Sequence, residues 1–248
     1  MDQYRAAASE LLSSIPIYFS VNSKQLGVRL NPYDLLNRVF QAGAELVLYL
    51  EEDLRLAPDA TALAQWYAEN HRHEWMCLSL LSGGCGSKGF ISDRRYPDIL
   101  FTSKTFNSLG FAAKRNEWDS HLRPVWLAEE LIYDWRAQRV HGWDWSVYLR
   151  LIRTECLYSV QPVTARATHT GRHGGVYCTP EFHDAAFTGM DLADSESRSY
   201  RLVATASLPA TLRRQVLLWE QVNCAVRVIN GLAPRAENPM LQRKYGSN

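Results

Sequence analysis

The sequence predicts an α/β fold: a mostly parallel sheet flanked by helices. Short apolar runs rich in strand formers alternate with amphipathic segments of helical spacing, the pattern of strand–helix–strand units. The run Leu46-Val47-Leu48-Tyr49-Leu50 reads as a buried central strand, and it passes directly into Glu51-Glu52-Asp53. Such a junction is typical of an open sheet, where ligands bind beyond the carboxyl ends of strands. No internal repeat or low-complexity tract interrupts the alternation.

Taken in order, residues 3–14 predict a helix and Ile15–Val21 a strand. Asn31-Pro32 predicts the next helix start, with Pro at the first helical position, and Leu35, Leu36, Val39 and Phe40 keep helical spacing until Gly43. After the acidic strand, Pro58-Asp59 opens an amphipathic helix through Leu63, Trp66 and Tyr67. Trp75–Leu81 predicts a second buried strand and Ile99–Phe101 a short one. Leu122–Arg139 and Trp145–Arg153 read as helices. Beyond about residue 160 the pattern loosens into a polar loop, followed by a long helix from Ala210 to Asn230-Gly231. The expected organisation is one domain over 1–205, with a C-terminal helix and basic tail at 206–248 packed on it.

Composition excludes little but points consistently. The 248 residues are 46% hydrophobic with a net charge of +1, so no global charge draws the chain to nucleic acid or membrane. Five scattered cysteines without CxxC spacing argue against a zinc site or a disulfide framework and predict reduced thiols. No apolar stretch has membrane-spanning length, and the first residues do not form a signal peptide, so the expected location is cytoplasmic.

Three constellations carry chemistry. Glu51, Glu52 and Asp53 at a strand end repel one another unless water or a cation lies among them, and carboxylates are the hard ligands that Mg²⁺ or Mn²⁺ prefers. A solvated acidic turn is the equally weighted alternative. In His141-Gly142-Trp143-Asp144-Trp145 an acid stands between two indoles, which suits a general base, while an N-cap on a helix with core tryptophans explains it as well. In residues 167–175, His169 and His173, Arg172 and three glycines suit a mobile loop closing on an anion, with Arg172 for phosphate and His169 for a metal. An exposed polar loop is the plainer reading, favoured for His173 alone. The turn Ser82-Gly83-Gly84-Cys85-Gly86 is neither a phosphate-binding P-loop nor a GxGxxG fingerprint.

Leu50-Glu51-Glu52-Asp53-Leu54, Trp75-Met76-Cys77-Leu78-Ser79, Thr105-Phe106-Asn107-Ser108-Leu109-Gly110-Phe111 and Gly142-Trp143-Asp144-Trp145 follow one another in a familiar order. The series resembles the GT-A class of nucleotide-sugar glycosyltransferases, with its DxD-like acidic motif. It is most similar to the inverting β-1,2-N-acetylglucosaminyltransferases of N-glycan synthesis, over roughly residues 15–187. The resemblance implies a GT-A-like (Rossmann-like) fold and transfer of a hexosyl or N-acetylhexosaminyl group from a nucleotide-diphosphate donor, a UDP-sugar favoured, to an acceptor hydroxyl. It implies Asp53 as the ligand of Mn²⁺ or Mg²⁺, Glu52 toward the ribose, Glu51 and Gly110 in the donor site, and Asp144 as the base. His169 matches a late histidine that many GT-A enzymes use as a further metal ligand, and Asn31 stands where the family places a polar nucleotide contact. GT-A enzymes open with a strand that helps to hold the base, and here a predicted helix comes first, so the usual first strand is expected to be missing.

Two other classes of function remain from the sequence. One is a catalytically silent GT-A-like binding module. The other is a nucleic-acid-directed transferase acting on a modified base. For that reading Arg213, Arg214, Arg227, Arg235, Arg243 and Lys244 outnumber Glu220 and Glu237 in the C-terminal region, although a solvated basic face is the commoner meaning.

Overall fold

The computed structural model describes residues 16–84, 89–127, 133–134, 139–140, 143–172, 178–194 and 199–229. The expected helix at 3–14 lies outside them. Residues 16–22 run without a ladder partner, and Tyr18 and Val21 are exposed, so the strand expected at Ile15–Val21 is not formed over its described part. Strand propensity without a partner edge does not make a strand.

Helix α1, Gly27–Gln41, begins ahead of the expected Asn31-Pro32 start, and Pro32 sits buried inside it. It stops where expected, because Gly43 adopts φ +106° and its N–H bonds to the Phe40 carbonyl. Strands β1 (Leu46–Tyr49), β2 (Leu54–Leu56), β3 (Trp75–Ser79), β4 (Ile99–Ser103) and β5 (Phe111–Lys114) follow, with α2 (Ala60–Glu69) between β2 and β3. A helical run from Arg115 to Trp126, α3, then leads to the short antiparallel pair β6 (Tyr133–Asp134) and β7 (Arg139–Val140). Helix α4 (Trp143–Arg153), β8 (Tyr158–Pro162), β9 (Ala167–His169), α5 (Pro180–Ala186), β10 (Arg201–Leu202) and α6 (Ala210–Ile229) complete the chain.

The main sheet has the order β1-β5-β3-β8-β4-β10. It is mixed, which corrects the expectation of a mostly parallel sheet. Only β3/β8 and β4/β10 pair parallel, whereas β1/β5, β3/β5 and β4/β8 pair antiparallel. β1 is an edge strand, half-buried along its length, and not the central strand that its apolar run suggested. The centre is β3 and β8. β8 carries the chain into the region beyond about residue 160 where a polar loop is expected; its Ser159 and Gln161 are fully buried, and both donate to the Thr105 carbonyl.

Helices cover both faces. Leu36 and Phe40 of α1, Trp118, Leu122 and Trp126 of α3, and Val147, Tyr148 and Leu151 of α4 pack on Met76, Phe111 and Ala113. On the other side, Leu63 and Tyr67 of α2 meet Trp75, Leu78, Ala112 and Val160. Trp118, Leu122 and Trp126 stand one turn apart, so the buried stripe begins before the Leu122–Arg139 helix that was expected. Over its described residues that helix ends early: the helical run stops at Trp126, and β6 and β7 lie in the remainder. In α6, Leu212, Val216 and Trp219 close a third cluster against Ile99, Phe101 and Val163.

Candidate functional site

Both β1 and β3 run opposite to β5, and β8 runs with β3, so the carboxyl ends of β1, β3 and β8 share one side of the sheet. The chain leaves β1 there through Glu51, Glu52 and Asp53 and enters β2, which pairs antiparallel with β9 outside the main sheet. In that ribbon Leu54 stands opposite His169, and the Asp53 carbonyl accepts both the N–H (2.7 Å) and the hydroxyl (2.9 Å) of Thr170. Residues more than a hundred positions apart are thereby placed side by side.

The result is a close contact between two side chains singled out in the sequence. His169 Nε2 lies 2.9 Å from Asp53 Oδ2. Two atoms in this pair have no partner: Asp53 Oδ1 and His169 Nδ1 are buried without a hydrogen bond. Gly171 closes the pair from the side. A Cβ built there would fall 2.7 Å from Asp53 Oδ2 and 2.9 Å from His169 Cε1, so the position requires the absence of a side chain. Burial, and then the charge of Asp53, push the nearby Cys178 thiol above its ordinary pKa.

Glu51 is partly buried and sits 3.5 Å from the Tyr49 hydroxyl, which donates to its Oε1. Burial raises the Glu51 carboxyl from 4.5 to about 7, and the charges of Asp53, Glu52 and Asp144 push in the same direction. Asp144 is therefore within electrostatic reach of the acidic triplet despite its distance in sequence. It lies in the first turn of α4, where its Oδ1 accepts the Trp145 N–H at 3.1 Å and where the helix dipole favours a negative charge. Trp145 packs edge-on against Tyr148, ring centroids 5.3 Å apart. Glu52 is exposed.

The other expected site residues are placed differently. Arg172 forks onto Asp184 of α5, with bonds of 2.8 and 2.7 Å, and it holds that carboxylate down to about 2. Asn31 lies exposed on α1 and accepts a bond from Asn22. Gly110 is buried at φ +134°, with Leu54 and Leu80 pressed to 3.3 Å of where a Cβ would stand, so it closes the core beneath the ribbon. Thr168 and His169, expected in a mobile loop, are buried in β9. His173 and the two following glycines lie outside the described residues.

The sequence reading missed the β2/β9 ribbon and α5. A signal for α5 was present: Thr179 caps it by accepting the Phe182 N–H, with Pro180 at the first helical position. Just past α5, Phe187 stacks on the His169 ring with centroids 5.3 Å apart, and within α5 His183 Nε2 meets the His169 carbonyl at 2.9 Å.

The donor set suits a hard divalent cation. Among the described residues no lysine or arginine pairs with Glu51, Glu52 or Asp53, and no group of three or more His, Cys, Asp or Glu side chains is placed to hold a metal ion. One carboxylate and one imidazole with an unbonded buried oxygen fit an ion that keeps water and substrate oxygens in its remaining positions. No family of known proteins matches the chain, and no curated protein matches its sequence.

Proposed function

We propose that this protein is a metal-dependent inverting glycosyltransferase with a GT-A-like arrangement, which uses a nucleotide-diphosphate sugar as donor. The observation that carries the reading is the contact of Asp53 with His169, across the β2/β9 ribbon and beside Glu51. The acidic triplet and the late histidine, separate in the sequence, thereby meet, and the charge of Asp144 acts on Glu51 from the start of α4.

Asp53 Oδ and His169 Nε2 would hold Mn²⁺ or Mg²⁺. When bound, the ion supplies Lewis-acid stabilisation of the charge that builds on the leaving diphosphate. Asp144 accepts the proton of the acceptor hydroxyl as that oxygen attacks the anomeric carbon opposite the leaving group, so the configuration inverts. Glu52, exposed at the rim, faces the ribose. Glu51, beside the Tyr49 hydroxyl, would line the donor site. Arg172 must leave Asp184 to reach a phosphate.

The test combines binding and turnover. UDP-sugars with Mn²⁺ should raise the melting temperature of the wild type, and Asp53→Ala should abolish that shift. Asp144→Asn should bind donor normally and transfer at least about a hundredfold more slowly, the scale of general-base loss. Transfer within a few-fold of wild type in Asp144→Asn would remove Asp144 from the mechanism. Donor binding with neither transfer nor hydrolysis would make the chain a binding module.

A further inference from the structure

We infer that His183 is a positioning residue for His169, acting through the main chain and not through a ligand. The inference rests on the proposed metal site only for its purpose; the geometry stands without it.

His169 ends β9, and the side chains that restrain it from the far side come from α5 and Phe187 just after it. The His183 ring meets the His169 carbonyl at 2.9 Å through Nε2. A carbonyl can only accept, so Nε2 is the protonated nitrogen of His183. Its Nδ1 is buried without a hydrogen bond, 3.7 Å from the Asp184 carboxylate. Phe187, one turn later, lies 27° from parallel to the His169 ring and also contacts His183, at centroid distances of 5.3 and 5.6 Å. Asp184, between them, takes the Arg172 fork and so ties the chain just after His169 to the same helix. The carbonyl bond fixes the His169 backbone, the Phe187 face fixes its ring plane, and the tight Gly171 keeps the ring edge against Asp53. A ligand whose direction is set in this way binds metal without first giving up rotamer freedom.

Glutamine can present its amide N–H where a histidine Nε2–H lies; leucine fills similar space without a donor. His183→Gln should therefore preserve the placement and His183→Leu should lose it. The direct readout needs no metal. A Cβ at Gly171 would stand 2.9 Å from His169 Cε1, so the His169 Hε1 and Gly171 Hα protons should give a strong nuclear Overhauser effect. That effect should persist in His183→Gln and vanish in His183→Leu. Mn²⁺ alone, titrated by electron paramagnetic resonance, should bind about 10–100-fold more weakly to His183→Leu and within a few-fold of wild type to His183→Gln.

An unchanged Overhauser effect in a folded His183→Leu, or equal loss in both variants, would overturn the inference. In case His183→Leu does not fold, the ring ¹⁵N shifts of wild-type His183 decide: the Nε2–H form supports the assignment and the Nδ1–H form overturns it. Failure of Mn²⁺ to bind the wild type would remove the metal site and leave the Overhauser test of His183 in force.

Discussion

Arg166 grips Asp59 with a fork in the interior, Nε to both carboxylate oxygens at 3.0 and 3.1 Å and Nη2 to one at 2.9 Å. Both side chains are fully buried. Asp59 stands at the N-cap position of α2 but makes no capping bond; its oxygens serve Arg166 and the Tyr200 hydroxyl instead. Arg166 immediately precedes β9, and Asp59 follows β2 closely. The fork therefore locks one end of the ribbon, the end opposite Asp53 and His169, helped by the Ala57 N–H bond to the Arg166 carbonyl, and so holds the β2/β9 register.

Arg166→Met should accordingly be among the most destabilising substitutions in the chain. It strands a buried carboxylate, a change that costs about 3–5 kcal/mol. Urea unfolding measures this directly. A loss under about 1 kcal/mol would mean that Asp59 finds water or another donor.

Gly171→Ala should separate stability from site geometry. The new methyl group meets the Asp53 carboxylate, which can swing away, and the edge of the His169 ring, which must shift slightly, so unfolding free energy should fall by only about 1–2 kcal/mol. Swinging away breaks the Asp53–His169 contact, and Mn²⁺ affinity should fall by about tenfold or more. Wild-type affinity, measured by calorimetry, would show that the contact is not part of a metal site.

The acidic triplet should leave a pH signature. The folded protein holds the Glu51 proton up to about pH 7, whereas the unfolded chain releases it near 4.5. Between those values the native state binds more protons, so the Glu51 contribution to stability declines as pH rises and levels off above about 7. Melting of the metal-free protein at pH 5 and pH 8 should show a smaller decline in Glu51→Gln than in wild type. Parallel profiles would place the Glu51 carboxyl in free contact with water.

Lys104 should matter for α4, the helix that carries Asp144. Its ammonium donates to the carbonyls of Thr154, Glu155 and Leu157 at 2.6–2.7 Å, just past the end of α4, and lies 4.2 Å from the centre of the Tyr158 ring. Lys104→Met keeps the apolar stem and removes every donor. Loss of hydrogen bonds to a charged group predicts about 2–3 kcal/mol of destabilisation. Hydrogen exchange should accelerate first in the last turn of α4, and uniform protection across the helix would contradict this role.

How much of this protein could be read from its sequence varies by element, and the reason is consistent. Helices α2, α4 and α6 and strands β3 and β4 were legible, since each carries its own buried stripe or run: Leu63 and Tyr67, Val147 and Leu151, Val216 and Trp219, Trp75–Ser79 and Ile99–Phe101. β8 was not, since Ser159 and Gln161 are satisfied by partners over fifty residues away, at Ser103 and Thr105. Strand direction was not legible either. An apolar run specifies burial but not its neighbour, so β1 could be read as central although it lies at the edge.

The site divides along the same line. Residue identity sets which groups are chemically capable: a carboxylate triplet after a strand, an acid at a helix start, a histidine near glycines. Which of them meet is settled by how the folded strands pair. Asp53 and His169 face one another because β2 pairs with β9 in one register, locked by Arg166 and Asp59. Arg172, chemically as suitable as any, is turned instead onto Asp184. Side-chain chemistry is local and is written residue by residue, whereas proximity is a property of strand pairing and buried charge across more than a hundred residues, which no short motif encodes.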